Sequence, residues 1–186
     1  MVDPAPHDDP DDLAVVERVL RGDTEAFRIL VVRHEVSVFR LLRNLGPNHL
    51  TVQDLAQDTF FAAFRGLPSF DPARGRFSSW LFTIAKHQAL NAKKRRVASP
   101  MEELPATTAQ NTTAEDLERR QLERQLDAAV ERLSDEQRTV FVLSEMVGLS
   151  MDQIAEIEHS PLPTIRSRLS RAKAALWAAI ADEGPL

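Results

Sequence analysis

The chain has 186 residues, 43% hydrophobic and 27% charged, an ordinary globular composition that excludes wholesale disorder. It has no cysteine, which excludes a disulfide framework and any thiolate metal site, and no apolar run approaches the roughly 18 residues a membrane span needs. The formal net charge of −5 speaks against nucleic acid until the charges are located: acids crowd the N-terminal end, while two later segments are basic.

Met1 to Asp12 is acidic and proline-rich, without the basic flank and apolar core of a signal peptide. Asp9-Pro10 can cap a first helix of about Asp11 to Leu20, stopped near Gly22. Asp23 can cap a second, reaching about Leu45, with Phe27, Leu30, Val31, Val38, Leu41 and Leu42 on its inner face. Thr51-Val-Gln-Asp54 has capping-box spacing and opens a third helix that ends near Gly66 and Pro68. A loop, Ser69 to Arg76, leads into a fourth helix from about Phe77 to Arg96, with Phe77, Trp80, Leu81 and Ile84 as its apolar face. Val97 to Thr113 is rich in proline, threonine and asparagine, has no periodicity and reads as a linker. Helical signals resume at the capping box Thr113 to Asp116 and run to about Leu133; Ser134 to Gln137 starts another helix ending at Gly148. The expected fold is all-α, with two small helical domains joined by a flexible linker.

From Ser150 onward the pattern sharpens. Ser150-Met-Asp-Gln153 caps a short helix carrying Ile154, Ala155 and Ile157; a break follows at His159-Ser160, and a second helix opens with Pro161 and Pro163 in its first turn. Ile165, Leu169, Ala172 and Leu176 recur at i, i+4, i+7 and i+11, a buried stripe, while Thr164, Arg166, Ser167, Arg168, Arg171 and Lys173 lie around it. A short helix, a tight turn and a basic amphipathic helix make a helix-turn-helix, whose second helix can enter the major groove and bring guanidinium groups to guanine edges. The alternative is a helical hairpin with a basic outer face.

The fourth helix joins its apolar face to a basic end, Lys86, Lys93, Lys94, Arg95 and Arg96. Aromatic and basic groups beside a loop suit single-stranded nucleic acid, where bases stack or flip out and the backbone needs cations. Core packing is the simpler account of Trp80; the loop Phe70-Asp-Pro-Ala-Arg-Gly-Arg76 is the better place to grip an extruded base.

With these motifs in order, the sequence resembles extracytoplasmic-function sigma factors of the sigma-70 family. Asp54-Leu-Ala-Gln-Asp-Thr-Phe-Phe is similar to the family's polymerase-binding helix. Phe70-Asp-Pro with Phe77-Ser-Ser-Trp-Leu-Phe-Thr-Ile-Ala is similar to its promoter-melting segment. Leu133-Ser-Asp-Glu-Gln-Arg-Thr-Val-Phe and Ile165-Arg-Ser-Arg-Leu-Ser-Arg-Ala resemble its upstream-element reader. The resemblance implies an acidic tail and first helix over 1–22, sigma region 2 over 23–96, a linker over 97–113 and sigma region 4 over 114–186. It further implies that Asp54, Gln57, Asp58 and Phe60 meet the clamp helices of core RNA polymerase. Phe70, Arg74, Arg76, Lys86, His87, Asn91, Lys94 and Arg95 would serve the minus-10 element, single-stranded once melted. Thr164, Arg166, Ser167, Arg168, Arg171 and Lys173 would serve the double-stranded minus-35 element, and the second domain would also touch the polymerase flap.

His87 stands where the family often has asparagine, Asn91 where aspartate is common and Lys93 where an aliphatic residue is usual, which puts the promoter sequence in doubt but not the class. His7, His34, His49, His87 and His159 show no metal-ligand spacing, so no metal, cofactor or catalytic residue is assigned. The implied function is that of a cytoplasmic sigma factor, not an enzyme, open to control by an anti-sigma protein. The rival is a dimeric helix-turn-helix regulator, which explains the second domain but not the Asp54 helix; a nucleic-acid hydrolase lacks a nucleophile motif, phosphate loop and metal set.

Overall fold

Acidic residues open the first helix, as a helix macrodipole favours. In the computed structural model, which describes residues 11–47, 52–98, 129–130 and 132–182, α1 spans Asp11–Leu20. The Asp23 carboxylate accepts the amide of Ala26 at 3.3 Å. That bond closes a single 3-10 turn, Thr24–Ala26, and α2 then runs Phe27–Leu45. The second helix therefore starts one turn later than Asp23 suggests. Helix α3 covers Val52–Gly66 and tightens into a 3-10 turn at Leu67–Ser69; α4 covers Phe77–Ala98. The Asp9-Pro10 and Thr51 caps, nearly all of the linker and most of the helix expected between Thr113 and Leu133 lie outside the described residues.

Helix α2 is the axis of the first half, packed against α1, α3 and α4. Leu30, Val38, Leu41 and Leu42 on its inner face are wholly buried. On α4 the buried face is Phe77, Leu81, Phe82, Ala85 and Ala89, while Trp80 and Ile84 are only partly covered. This face is rotated from the one expected, because two of its residues, the wholly buried Ala85 and Ala89, carry little hydropathy signal. Gly66 leaves room where α3 ends against α4: a Cβ there would stand 3.3 Å from the Trp80 indole.

The second half opens on a Ser134 capping box and α5, Asp135–Phe141, which passes into a π-helical turn at Val142–Val147. Gly148, at φ 83, takes the left-handed conformation that ends it without the penalty a Cβ would bring. A second capping box at Ser150 starts α6, Met151–Glu158; His159 ends it at φ 48, and α7 follows over Leu162–Asp182. Ile165, Ala172 and Leu176 are buried and Leu169 is partly so, which is the stripe read from the sequence.

The two halves touch. The π turn packs on α2 and α6 packs on α4, and one continuous cluster of buried side chains runs from Val15 to Ile165 across the join. A smaller cluster of Ala129, Leu133, Phe141, Ala172 and Leu176 closes the far end of α7. Among the described residues no helix is long and apolar enough to cross a membrane.

Candidate polymerase and nucleic-acid interface

Helix α3 buries Leu55, Ala56, Thr59 and Ala63 and so turns Asp54, Gln57 and Asp58 outward. These positions, at i, i+3 and i+4, share one face. Phe60 is half-buried against the core. Its neighbour Phe61 is the aromatic on the outer face, 54% exposed beside Gln57 and Asp58. Sequence reading missed Phe61 because adjacent phenylalanines differ only in which side of the helix they take. A groove of about 660 Å³ lined by Glu35, Val36, Phe39, Arg40, Arg43 and Val52 lies where α2 passes the start of α3. Val32, Val36 and Phe39 leave an exposed apolar stripe on α2 at i, i+4 and i+7, which the sequence reading also passed over.

Phe70 does not swing free: its ring meets Phe77 edge-on with centroids 5.9 Å apart and Trp80 at 5.4 Å. This triad anchors the loop at its start. Asp71 accepts the amide of Ala73 at 3.0 Å and fixes the turn that leaves Arg74 exposed. The basic end of α4 divides into two faces. His87, Asn91, Lys94 and Arg95, at i, i+4, i+7 and i+8, form one exposed strip. Lys86, 100° away on the helical wheel at about 3.6 residues per turn, points instead at the end of α6. There its Nζ donates to the Ile157 carbonyl and to Glu158 Oε1, each at 3.1 Å. Arg76 likewise leans on Glu156, at 3.6 Å. Partial burial and the nearby Lys86 and His159 charges push the His87 imidazole below its ordinary range, opposed by Glu158.

On α7 the residues opposite the buried stripe face solvent. Arg166, Ser170 and Arg171 are exposed, and Thr164 and Ser167 are half-covered on the same side. Arg168 is drawn back to Glu158 at 3.6 Å, and Lys173 to Glu145 at 2.9 Å. Burial raises the Glu145 carboxyl, but hydrogen bonds from Lys173 and Ser144 outweigh it and leave the group below the usual carboxylate range. The sequence-derived set thus separates into an outward group, Arg166 and Arg171 with the strip on α4, and an inward group, Arg76, Lys86 and Arg168, around Glu156 and Glu158. No cluster of three or more metal-ligating side chains occurs among the described residues.

Among the described residues the fold is all-helical and in two parts, with one basic helix in each half. The family model for Sigma-70 region 2 matches residues 30–98, and that for Sigma-70, region 4 matches residues 123–176. The ECF RNA polymerase sigma-E factor of Haemophilus influenzae is 35% identical over 177 residues, covering 87% of this chain and 91% of that protein. The RNA polymerase sigma-H factor of Pseudomonas aeruginosa is 33% identical over 181 residues, covering 89% and 91%. Among solved structures, CnrH in complex with the cytosolic domain of CnrY is 27% identical with a TM-score of 0.71, covering 92% of this chain and 97% of that one. The sigma factor RpoE in complex with the anti-sigma factor NepR from Bartonella quintana shares the fold, at 23% identity and TM-score 0.64, over 83% and 96%. The chain belongs to the sigma-70 family, as an extracytoplasmic-function sigma factor for transcription initiation. Sigma region 2 and region 4 imply core RNA polymerase and promoter DNA as its partners, and sigma factors are generally non-enzymatic regulators.

Proposed function

We propose that the work is divided residue by residue as follows. Residues 23–96 act as region 2, 114–186 as region 4, 97–113 as the tether between them, and 1–22 as an acidic tail with its first helix. The outer face of α3, with Asp54, Gln57, Asp58 and the exposed ring of Phe61, docks on the clamp helices of the polymerase, with Phe60 supporting it from the core side. The α4 strip His87, Asn91, Lys94 and Arg95 meets the minus-10 element, helped by Arg74, Arg76 and Lys86, while the loop anchored by Phe70 receives a base flipped from the melted strand. Capturing that base offsets part of the cost of opening the duplex. Arg166 and Arg171 lead α7 into the major groove at the minus-35 element; Thr164, Ser167, Arg168 and Lys173 hold phosphates.

The observation that carries this reading is that α7 buries Ile165, Ala172 and Leu176 and leaves Arg166 and Arg171 on its open side, the pose a recognition helix requires. The chain catalyses nothing: two weak modules held apart on the polymerase raise each other's effective concentration. It works in the cytoplasm with core polymerase, and an anti-sigma protein would occlude the same α3 face. The test is transcription from a genomic promoter library by purified core polymerase, with and without the protein. Transcripts that depend on it and share paired minus-35 and minus-10 motifs are expected. No stimulation, together with a symmetric footprint on DNA by the protein alone, would replace this reading with that of a dimeric regulator.

A further inference from the structure

The loop that starts at Phe70 is mounted on rings, and the run of rings continues inward past Phe77. That buried side chain meets Phe70 at 5.9 Å and Trp80 at 5.8 Å between centroids, and it also meets the His34 imidazole at 5.7 Å. Phe82, wholly buried, stands edge-on to the same imidazole at 6.3 Å. His34 is itself 2% exposed, and its Nε2 lies 2.7 Å from Oδ2 of Asp12, in the first turn of α1. Oδ1 of that carboxylate accepts from Arg33 Nη1 at 3.0 Å, so both oxygens are tied. Asp12, His34, Phe77, Phe70 and Trp80 thus form one connected chain from α1 to the loop.

We propose that His34 and Asp12 are positioning residues for promoter melting: the imidazole, fixed by the carboxylate, sets Phe77 and through it holds the Phe70 loop in the pose that receives a flipped base. The proposal rests on the base-receiving role assigned to that loop above, and adds two residues buried away from DNA and polymerase alike. The physical case is orientation. An aliphatic side chain at position 34 could fill the space in more than one rotamer. A buried imidazole needs a polar partner, so its bond to Asp12 fixes the plane of the ring. Aromatic pairs in turn favour particular tilts, and Phe77 takes its orientation from that plane. Helix α1 also packs on the 3-10 turn Leu67–Ser69, from which Phe70 departs, so one helix supports the loop by two routes. A loop already in place captures a base without an ordering cost; a loop that the base must first order binds it more weakly.

H34Q tests the ring, because the glutamine amide can still donate to Asp12 while the contacts to Phe77 and Phe82 are lost. D12N loosens the clamp and leaves the ring. L45A is the control: it opens a cavity in the same core, roughly 16 Å further along α2 at about 1.5 Å per residue, away from the rings. Circular dichroism sets a temperature at which every full-length variant is folded. Hydrogen exchange is read at the amides of Phe70, Ala73 and Arg74, which donate to the Leu67 carbonyl, the Asp71 carboxylate and the Asp71 carbonyl. Opening is read with core polymerase by aminopurine fluorescence on a duplex promoter recovered from the genomic library. Transcript yield at saturating protein is compared on the same promoter with its minus-10 bases already mismatched. In H34Q the three amides are expected to exchange faster than in wild type and L45A. The open-to-closed ratio on duplex is expected to fall by roughly tenfold, the upper end for one lost aromatic pair, with near-normal yield from the mismatched template. D12N shifts the same way by less. Unchanged exchange in both H34Q and D12N, or an equal rise in L45A, would overturn the positioning. A loss on the mismatched template equal to that on duplex would overturn the role in melting. If wild type itself opens no promoter, the promoter assignment falls, while the exchange rates still decide whether the rings hold the loop.

Discussion

Replacing Asp12 by asparagine tests whether the first helix is held by a buried charge. Asp12 is 4% exposed; its Oδ2 lies 2.7 Å from His34 Nε2 and its Oδ1 3.0 Å from Arg33 Nη1. Asparagine keeps the shape and one acceptor, but it offers Arg33 no charge, and its amide can meet His34 Nε2 only once that nitrogen has given up its proton. A hydrogen bond to a charged group is worth about 1.5–3 kcal/mol. The neighbouring Arg33–Asp11 pair, at 3.7 Å with Asp11 72% exposed, is too solvated to compensate. At about 2–4 °C per kcal/mol for a chain of this size, Tm falls by about 3–12 °C. The pH dependence has a definite sign. Burial pushes the Asp12 carboxyl up, but the hydrogen bond and charge of His34, then those of Arg33, outweigh it and hold the group below the usual carboxylate range. The stabilisation is therefore complete above the unfolded-chain value, near pH 4, and is lost as the pH falls through the lower folded value. Urea unfolding of wild type and D12N, near neutrality and in acid, reads both quantities. A difference under about 0.5 kcal/mol near neutrality, the range of an ordinary surface change, would refute the reasoning, as would a gap that persists undiminished in acid.

Alanine at Arg166 or at Arg171 is expected to weaken binding of minus-35 duplex by about 1–3 kcal/mol and to relax its sequence preference, as loss of a base-reading guanidinium does; fluorescence anisotropy on matched and mismatched duplexes checks it, and an unchanged affinity and preference for both would place α7 away from DNA. F61A is expected to reduce affinity for core polymerase by about 2 kcal/mol, roughly 30-fold, as removal of an interface aromatic anchor does, with Tm unmoved because the ring is exposed; biolayer interferometry and a thermal melt read the two effects. His87 is expected to titrate below the ordinary value of about 6.5 by proton NMR. Its neutral form is the one the fold favours, so wild type loses stability as the pH drops below about 6.5 toward the folded value, a loss that H87Q does not show.

Capping chemistry and apolar spacing made most of the helices legible. Asp23, Ser134 and Ser150 each accept the amide their sequence context suggests, because a hydroxyl or carboxylate before a helical run has few better partners. The stripe Ile165, Leu169, Ala172, Leu176 fixed both the pose of α7 and the outward side of Arg166 and Arg171. Residues whose meaning depends on distant partners were not legible. Asp12 reads as one more acid of a solvated tail, and only the fold brings it to His34, 22 positions away. Glu156 and Glu158 read as the polar side of a short helix, and Lys86 as one cation among many, until α6 is seated against α4. The buried face of α4 was misjudged because Ala85 and Ala89 signal weakly in any hydropathy pattern.

The π turn at Val142–Val147 has a consequence for how this protein can change. Such a turn amounts to one residue inserted into an α-helix, lengthening the hydrogen-bond ladder locally, as in the Gly148 amide reaching back to the Leu143 carbonyl. Because Gly148 ends the helix directly after it, the extra residue sets the point around the helix axis at which the chain leaves, displaced by about 100° from that of a helix one residue shorter. That exit point is thereby written in chain length rather than in side-chain chemistry. Point substitutions on the exposed side of the turn leave it alone, while loss of a single codon would move it by more than a quarter turn, a change the short segment before α6 would have to absorb.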